Sequence, residues 1–165
     1  MKQLWAPWRM PFIESHEPVV GCLFCNKAAE GEDARNHVVH RSRHCFTMLN
    51  LYPYNSGHLM VVPHAHVGRL DDLENEIAGA LMEDAQLATR ALQRAMNPEG
   101  FNVGVNQGTA GGAGIADHIH LHVVPRWNGD TNFMPVLGDT KVMPELLAST
   151  AAKLRPIFEE LGQHP

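Results

Sequence analysis

Residues 118–124 read His-Ile-His-Leu-His-Val-Val, an alternation with the period of an extended strand. Successive side chains of a strand point to opposite faces. His118, His120 and His122 then share one face at spacings of about 6.7 Å. Ile119, Leu121 and Val123 share the other, which can pack on a helix. A core has no need of three imidazoles in register, because each buried ring requires a hydrogen-bond partner. A solvated strand face suits one histidine better than three.

Two chemistries fit such a row. Neighbouring rings at i and i+2 can chelate one metal ion, although His118 and His122, about 13 Å apart along a strand, cannot both join it. Asp117, the adjacent carboxylate, starts on the opposite face. Alternatively, one imidazole attacks phosphorus and a neighbour protonates the leaving oxygen. The segment just before the row favours the second. Gln107–Ala116 holds Gly108, Gly111, Gly112 and Gly114, a stretch whose backbone N–H groups can wrap an anion. Arg126 is a candidate cationic contact.

The rest of the chain builds a frame for this strand. Leu73, Ile77, Leu81, Ala85, Ala88, Leu92 and Met96 recur every three or four residues, the apolar face of one long helix. Asp71 and Asp72 are its expected caps, and Asn97-Pro98-Glu99-Gly100 its stop. Residues 44–50, 58–63, 101–106 and 118–126 read as strands, the first two an antiparallel pair. Residues 26–37 read as a short helix and loop, and 144–161 as a closing helix. There is no strict strand–helix alternation. The expected class is therefore α+β, with an antiparallel sheet in one domain spanning 1–165. Residues 1–21, rich in Trp and Pro, are expected to be extended.

Composition excludes several classes. The 165 residues are too few for an eight-fold β/α barrel of about 250 residues. Net charge is −5, so no overall field draws the chain to nucleic acid. Residues 1–12 do not read as a signal peptide, and no window approaches the roughly 18 apolar residues of a membrane span. A cytoplasmic protein without a membrane partner is expected. There are 11 histidines against 13 Lys and Arg, which suits proton transfer, phosphoryl chemistry or metal ligation. The cysteines, Cys22, Cys25 and Cys45, are odd in number and do not read as a disulfide framework. Cys22-Leu23-Phe24-Cys25 fits half a zinc site, a redox pair or buried thiols.

The run from His118 to Val124 resembles the signature of the histidine-triad (HIT) family of nucleotide hydrolases and transferases. Asn50–His66 resembles that family's nucleoside-side hairpin. Leu4–Arg9 and Val124–Phe133 resemble its bacterial branch related to diadenosine tetraphosphate phosphorylase. The resemblance implies a five-stranded antiparallel sheet with one long helix and a C-terminal helix, two protomers forming one continuous sheet, and no organic cofactor. It implies attack by His120 on the α-phosphorus of a dinucleoside polyphosphate or nucleotide conjugate, through a nucleotidyl-histidine intermediate. His122 would assist the leaving group. Asn50 occupies the ribose-contact position, and Asn106 precedes the phosphate loop. Many members carry Gly-Gln-Ser before the triad, whereas this chain has Gly112-Ala113-Gly114-Ile115-Ala116-Asp117. Phosphate contacts would then come from the backbone around Gly114 and Ile115. Some relatives hold structural zinc with a Cys-x-x-Cys pair, a distant His and the first triad His. Here these are Cys22, Cys25, His66 and His118. Cys45 is assigned to the core and His58 to structure alone, while His37, His40, His44 and His64 receive no role. The competing functions are a metal-dependent hydrolase using His118 and His120 as ligands, and a nucleotide-binding regulator without turnover.

Overall fold

The computed structural model describes residues 20–131, 138 and 142–162. The expected extended run up to residue 19, with Leu4–Arg9, and the end of the 124–133 motif lie outside the described residues. Helix α1 spans Leu23–Glu30 and ends at Gly31. It starts earlier than the predicted stretch at 26, so Cys22 is its N-cap and Cys25 lies in its first turn. Strands follow at Val38–Arg41 (β1), Cys45–Leu49 (β2) and Leu59–Pro63 (β3). Then come α2 at Asn75–Met96, β4 at Gly100–Val105, β5 at Leu121–Arg126 and α3 at Leu147–Gly162. All strand pairs are antiparallel, in the order β1-β2-β3-β5-β4. The class is α+β, as predicted.

The sheet separates two apolar layers. On one side, Leu59, Val61, Ile119, Leu121 and Val123 pack with Leu81, Ala88 and Leu92 of α2 and Leu154 and Phe158 of α3. The apolar stripe of α2 is thus the face it buries, and Asp84 of the same helix is buried too, accepting the Ser42 hydroxyl at 2.7 Å. On the other side, Phe24 of α1 closes over Val38, Phe46, Met48, Met60 and Val62. This second layer carries the histidine face. Among the described residues, no helix is long and apolar enough to cross a membrane.

Four local expectations are corrected. β1 was not legible as a strand, because it is only four residues long and half of it stays partly exposed. Asp71 and Asp72 do not cap α2. They sit in a 3-10 turn, Leu70–Asp72, that precedes an extended Leu73 and an N-cap at Glu74. The last helix begins at Leu147 rather than 144 and carries Pro156 within it. Strand β5 begins at Leu121, not His118, because Leu121 is the last residue paired to both neighbours, Val61 and Val105. Before it, the Ile119 N–H donates to the Val67 carbonyl at 2.7 Å instead. His118 and His120 therefore lie in an extended lead-in to the strand, and the alternation of faces persists through it.

Candidate active site and metal centre

Each triad ring has a different partner. His118 directs Nε2–H to the Pro63 carbonyl at 2.8 Å. That leaves its Nδ1 lone pair facing Cys22 Sγ at 3.2 Å, Cys25 Sγ at 3.6 Å and His66 Nδ1 at 3.3 Å. Cys25 Sγ and His66 Nδ1 are 3.5 Å apart. All four ligand atoms lie within 4.8 Å of one another. A tetrahedral zinc ion with bonds of 2.0–2.3 Å has donor-to-donor edges of about 3.3–3.8 Å. Two sulfurs and two imidazole nitrogens at these separations fit that ion. The hydrogen bond to Pro63 supplies the outer contact that orients a ligating imidazole. Burial, then the adjacent Cys22, raises the Cys25 thiol; a divalent cation between the sulfurs would reverse that tendency.

His120 turns the other way. Its Nδ1–H donates to the His118 carbonyl at 2.9 Å, so the lone pair is on Nε2. The Phe24 ring stands 4.9 Å from it, centre to centre. Burial lowers the His120 pKa, with the bond to His118 opposing, and the ring is neutral near pH 7. Because Nδ1 of His118 serves the cysteine cluster and Nδ1 of His120 serves a carbonyl, these two rings do not form an i, i+2 chelate.

His122 is ordered by a residue that sequence reasoning set aside. His58 is fully buried. Its Nδ1 accepts the Tyr54 N–H at 3.0 Å and lies 3.4 Å from Asn50 Nδ2. Its Nε2 therefore carries the proton and meets His122 Nδ1 at 2.9 Å. The second ring must then carry its own proton on Nε2. Burial, helped by His120, pushes the His122 pKa down to about 4. It is a neutral donor. Gly57 makes this placement possible: at φ +78°, a Cβ there would meet Met96 Sδ at 2.7 Å. The sequence signal for His58 was its place at the start of the predicted 58–63 strand; the structure puts it just before β3.

His120, His122, Asn50, Asn106, Gly114 and Ile115 all line one cavity of about 530 Å³. In the glycine loop, the amides of Gly111, Gly112 and Ala113 turn back onto the carbonyls of Gly108 and Thr109. The left-handed Gly112, at φ +86°, then leads to Gly114 and Ile115 at the cavity wall. Asn50 Oδ1 accepts the Tyr52 N–H at 2.9 Å, and both residues line the same cavity. Arg126 is not a cavity group. Its guanidinium is bound to Asp130 at 2.6 and 3.0 Å and to Asn102 at 2.7 Å, at the end of β5 paired with Gly100.

A domain with this sheet, this loop and this histidine row falls in a recognised class: residues 32–129 match the HIT domain, and the chain belongs to the HIT family. Among its relatives is a protein described as AP-4-A phosphorylase from Mycobacterium tuberculosis, 40% identical over 157 residues, covering 91% of this chain and 80% of the relative. A bis(5'-adenosyl)-triphosphatase from Dictyostelium discoideum is 28% identical over 121 residues, 70% of this chain and 80% of that protein. The crystal structure of a Zn-bound histidine triad family protein from Mycobacterium smegmatis superposes with a TM-score of 0.71 at 26% identity. It covers 88% of this chain and 98% of that one.

Proposed function

We propose that this chain is an enzyme that cleaves dinucleoside polyphosphates or nucleotide conjugates at the α-phosphorus, with His120 as nucleophile. The observation that carries it is the pairing of opposite tautomers, a lone pair on Nε2 of His120 and a proton on Nε2 of His122, on one cavity wall. The His120 nitrogen forms a bond to phosphorus as the P–O bond to the leaving phosphate breaks. The His122 proton goes to the departing oxygen. The positive charge that develops on His120 is shared with the His118 carbonyl. Water or phosphate then attacks the nucleotidyl-histidine, returns the proton to His122 and frees the ring. The amides of Gly114 and Ile115 hold the phosphate, Asn106 flanks it and Asn50 faces the ribose.

Zinc at Cys22, Cys25, His66 and His118 is structural in this reading, the ion bracing the segment that leads to His120. The relatives named AP-4-A phosphorylase and bis(5'-adenosyl)-triphosphatase support the substrate class. The domain is taken to span 1–165, and the chain to work in the cytoplasm, where free cysteines suit a reducing compartment. A homodimer through β4 is supported by its place at the sheet edge and by Val103, 47% exposed there.

The test is turnover of labelled diadenosine tetraphosphate with and without added phosphate, followed by a rapid quench. Label bound to the wild-type chain and lost in His120→Ala, together with loss of turnover, is expected. An active His120→Ala protein overturns the reading.

A further inference from the structure

The cysteine cluster is not sealed from solvent. His118 is buried, but His66 is exposed and Cys22 and Cys25 are half-buried. A second cavity, of about 570 Å³, has Cys22, His66 and Asp117 on its wall. Leu23, Gly114 and Ile115 line this cavity and also the one that holds His120, so the two share a partition. Cys45 is the contrast: it is fully buried, and burial pushes its thiol up to about 12. Partly exposed sulfurs meet oxidants, whereas buried thiols are inert.

The sulfurs also hold the segment that covers His120. Between them in the chain stands Phe24, 1% exposed, its ring centre 5.4 Å from that of His118 and 4.9 Å from that of His120. Helix α1, which Cys22 caps, has eight residues, too few to persist without tertiary support. Arg41 holds its C-terminal half, donating to the Ala28 and Lys27 carbonyls at 3.1 and 3.4 Å. Its N-terminal end meets the histidine row through Phe24 and the two sulfurs. A change at the sulfurs therefore bears on the end that lies over His120.

Building on the zinc and nucleotide-cleavage readings, we propose that Cys22 and Cys25 form a reversible oxidation site that answers to peroxide and shuts down the neighbouring nucleotide site. With the divalent ion bound, both sulfurs are thiolates. Cys22, on the cavity wall, attacks hydrogen peroxide: an S–O bond forms, the O–O bond breaks and hydroxide leaves. The Cys25 sulfur, within 4.8 Å of it, then displaces hydroxide from the Cys22 sulfenic acid and forms the S–S bond. The sulfur pair gives up two electrons, the peroxide takes them, and two solvent protons convert the hydroxides to water. The disulfide withdraws two of the four donors, the ion is lost, and the start of α1 loosens from His118 and His120. A dithiol reductant restores both thiols by exchange.

The experiment treats the full-length, zinc-loaded chain with hydrogen peroxide and then with dithiothreitol. It follows zinc released to a chromogenic chelator, peptide masses, amide hydrogen exchange and kcat on diadenosine tetraphosphate. Expected are a Cys22–Cys25 disulfide, release of the zinc, and faster exchange confined to α1 and the Gly114–Ile115 loop. The kcat should fall about 10²-fold, as for a catalytic group displaced by about 1 Å. Reductant with added zinc restores all of these, and Cys45 stays unmodified. In Cys25→Ser, which cannot close the disulfide, dimedone should label Cys22. The proposal is overturned if peroxide forms no such disulfide, if zinc stays bound, if exchange rises throughout the chain, if kcat is unchanged or if Cys22 takes no label. An untreated chain without zinc removes the zinc reading and this proposal with it. If the reduced chain cleaves no dinucleotide, the cleavage reading fails, and calorimetric binding of AMP before and after oxidation decides on the switch in its place.

Discussion

His58 and His122, 64 residues apart in the chain, share a single proton-ordering contact, Nε2 to Nδ1 at 2.9 Å. The Tyr54 amide on the far nitrogen of His58 sets its direction. The proton on the outer nitrogen of His122 is thus decided two hydrogen bonds away from it, at the Tyr54 backbone N–H.

Replacing His58 removes that direction without touching the cavity wall. His58→Phe should lower kcat by about 10²-fold, the lower end of what a positioned proton donor contributes, and leave KM near its wild-type value. Steady-state kinetics on diadenosine tetraphosphate check this. An unchanged kcat would mean that His122 does not act through its outer proton.

The His122 ring should titrate near pH 4. Burial favours its neutral form, so the folded value lies below the 6.5 of an exposed ring. Between about pH 6.5 and 4 the unfolded chain binds more protons at this residue than the folded one. Its contribution to stability is therefore full above 6.5 and lost as the pH falls toward 4. Ring-nitrogen NMR across pH 3.5–8 measures the midpoint. A value at or above 6.5 would contradict the burial.

Metal analysis of the purified chain should find one zinc per protomer, and a Cys22→Ser, Cys25→Ser variant should hold none. An ion bound at a hundredfold above its dissociation constant adds about 2.7 kcal/mol to stability. Chelation should then lower Tm by about 5–10 °C in a domain of this size. Turnover should decline with the metal, because the carbonyl that orients His120 belongs to a ligand residue. A chain that melts identically with and without chelator has no structural ion there.

The proposed dimer would pair through the sheet edge at β4. Lysine at an exposed edge position opposes pairing between sheets, so Val103→Lys should shift the chain from dimer to monomer in sedimentation velocity. The fold should survive, since Val103 faces outward on β4. A wild-type monomer would remove the continuous-sheet arrangement.

Local patterns carried much of the fold into view. Alternation over 118–124 and the three-four spacing of α2 each depend on neighbours a few residues away, so both were readable, and the apolar layers divide as they imply. Element ends were less readable. The start of β5 at Leu121 depends on where β3 and β4 stop, and the start of α2 on a turn that competes for Asp71 and Asp72. The role expected of Arg126 failed because Asp130, four residues on, and Asn102, across the strand pair, hold it.

The sequence by itself determined the strand period, the glycine loop before it, the α+β class and membership of a nucleotide-handling family. It also held the Cys-x-x-Cys pair, although residue spacing alone left three meanings for it. Tertiary structure decided which nitrogen of each ring is free, that His66 stands beside Cys25 from 41 residues away, that His58 orders His122, and that Asn50 and Asn106 line one cavity with His120 and His122. The reason is physical: periodicity tells which face a side chain takes, while strand register and helix packing set which distant side chain it meets there.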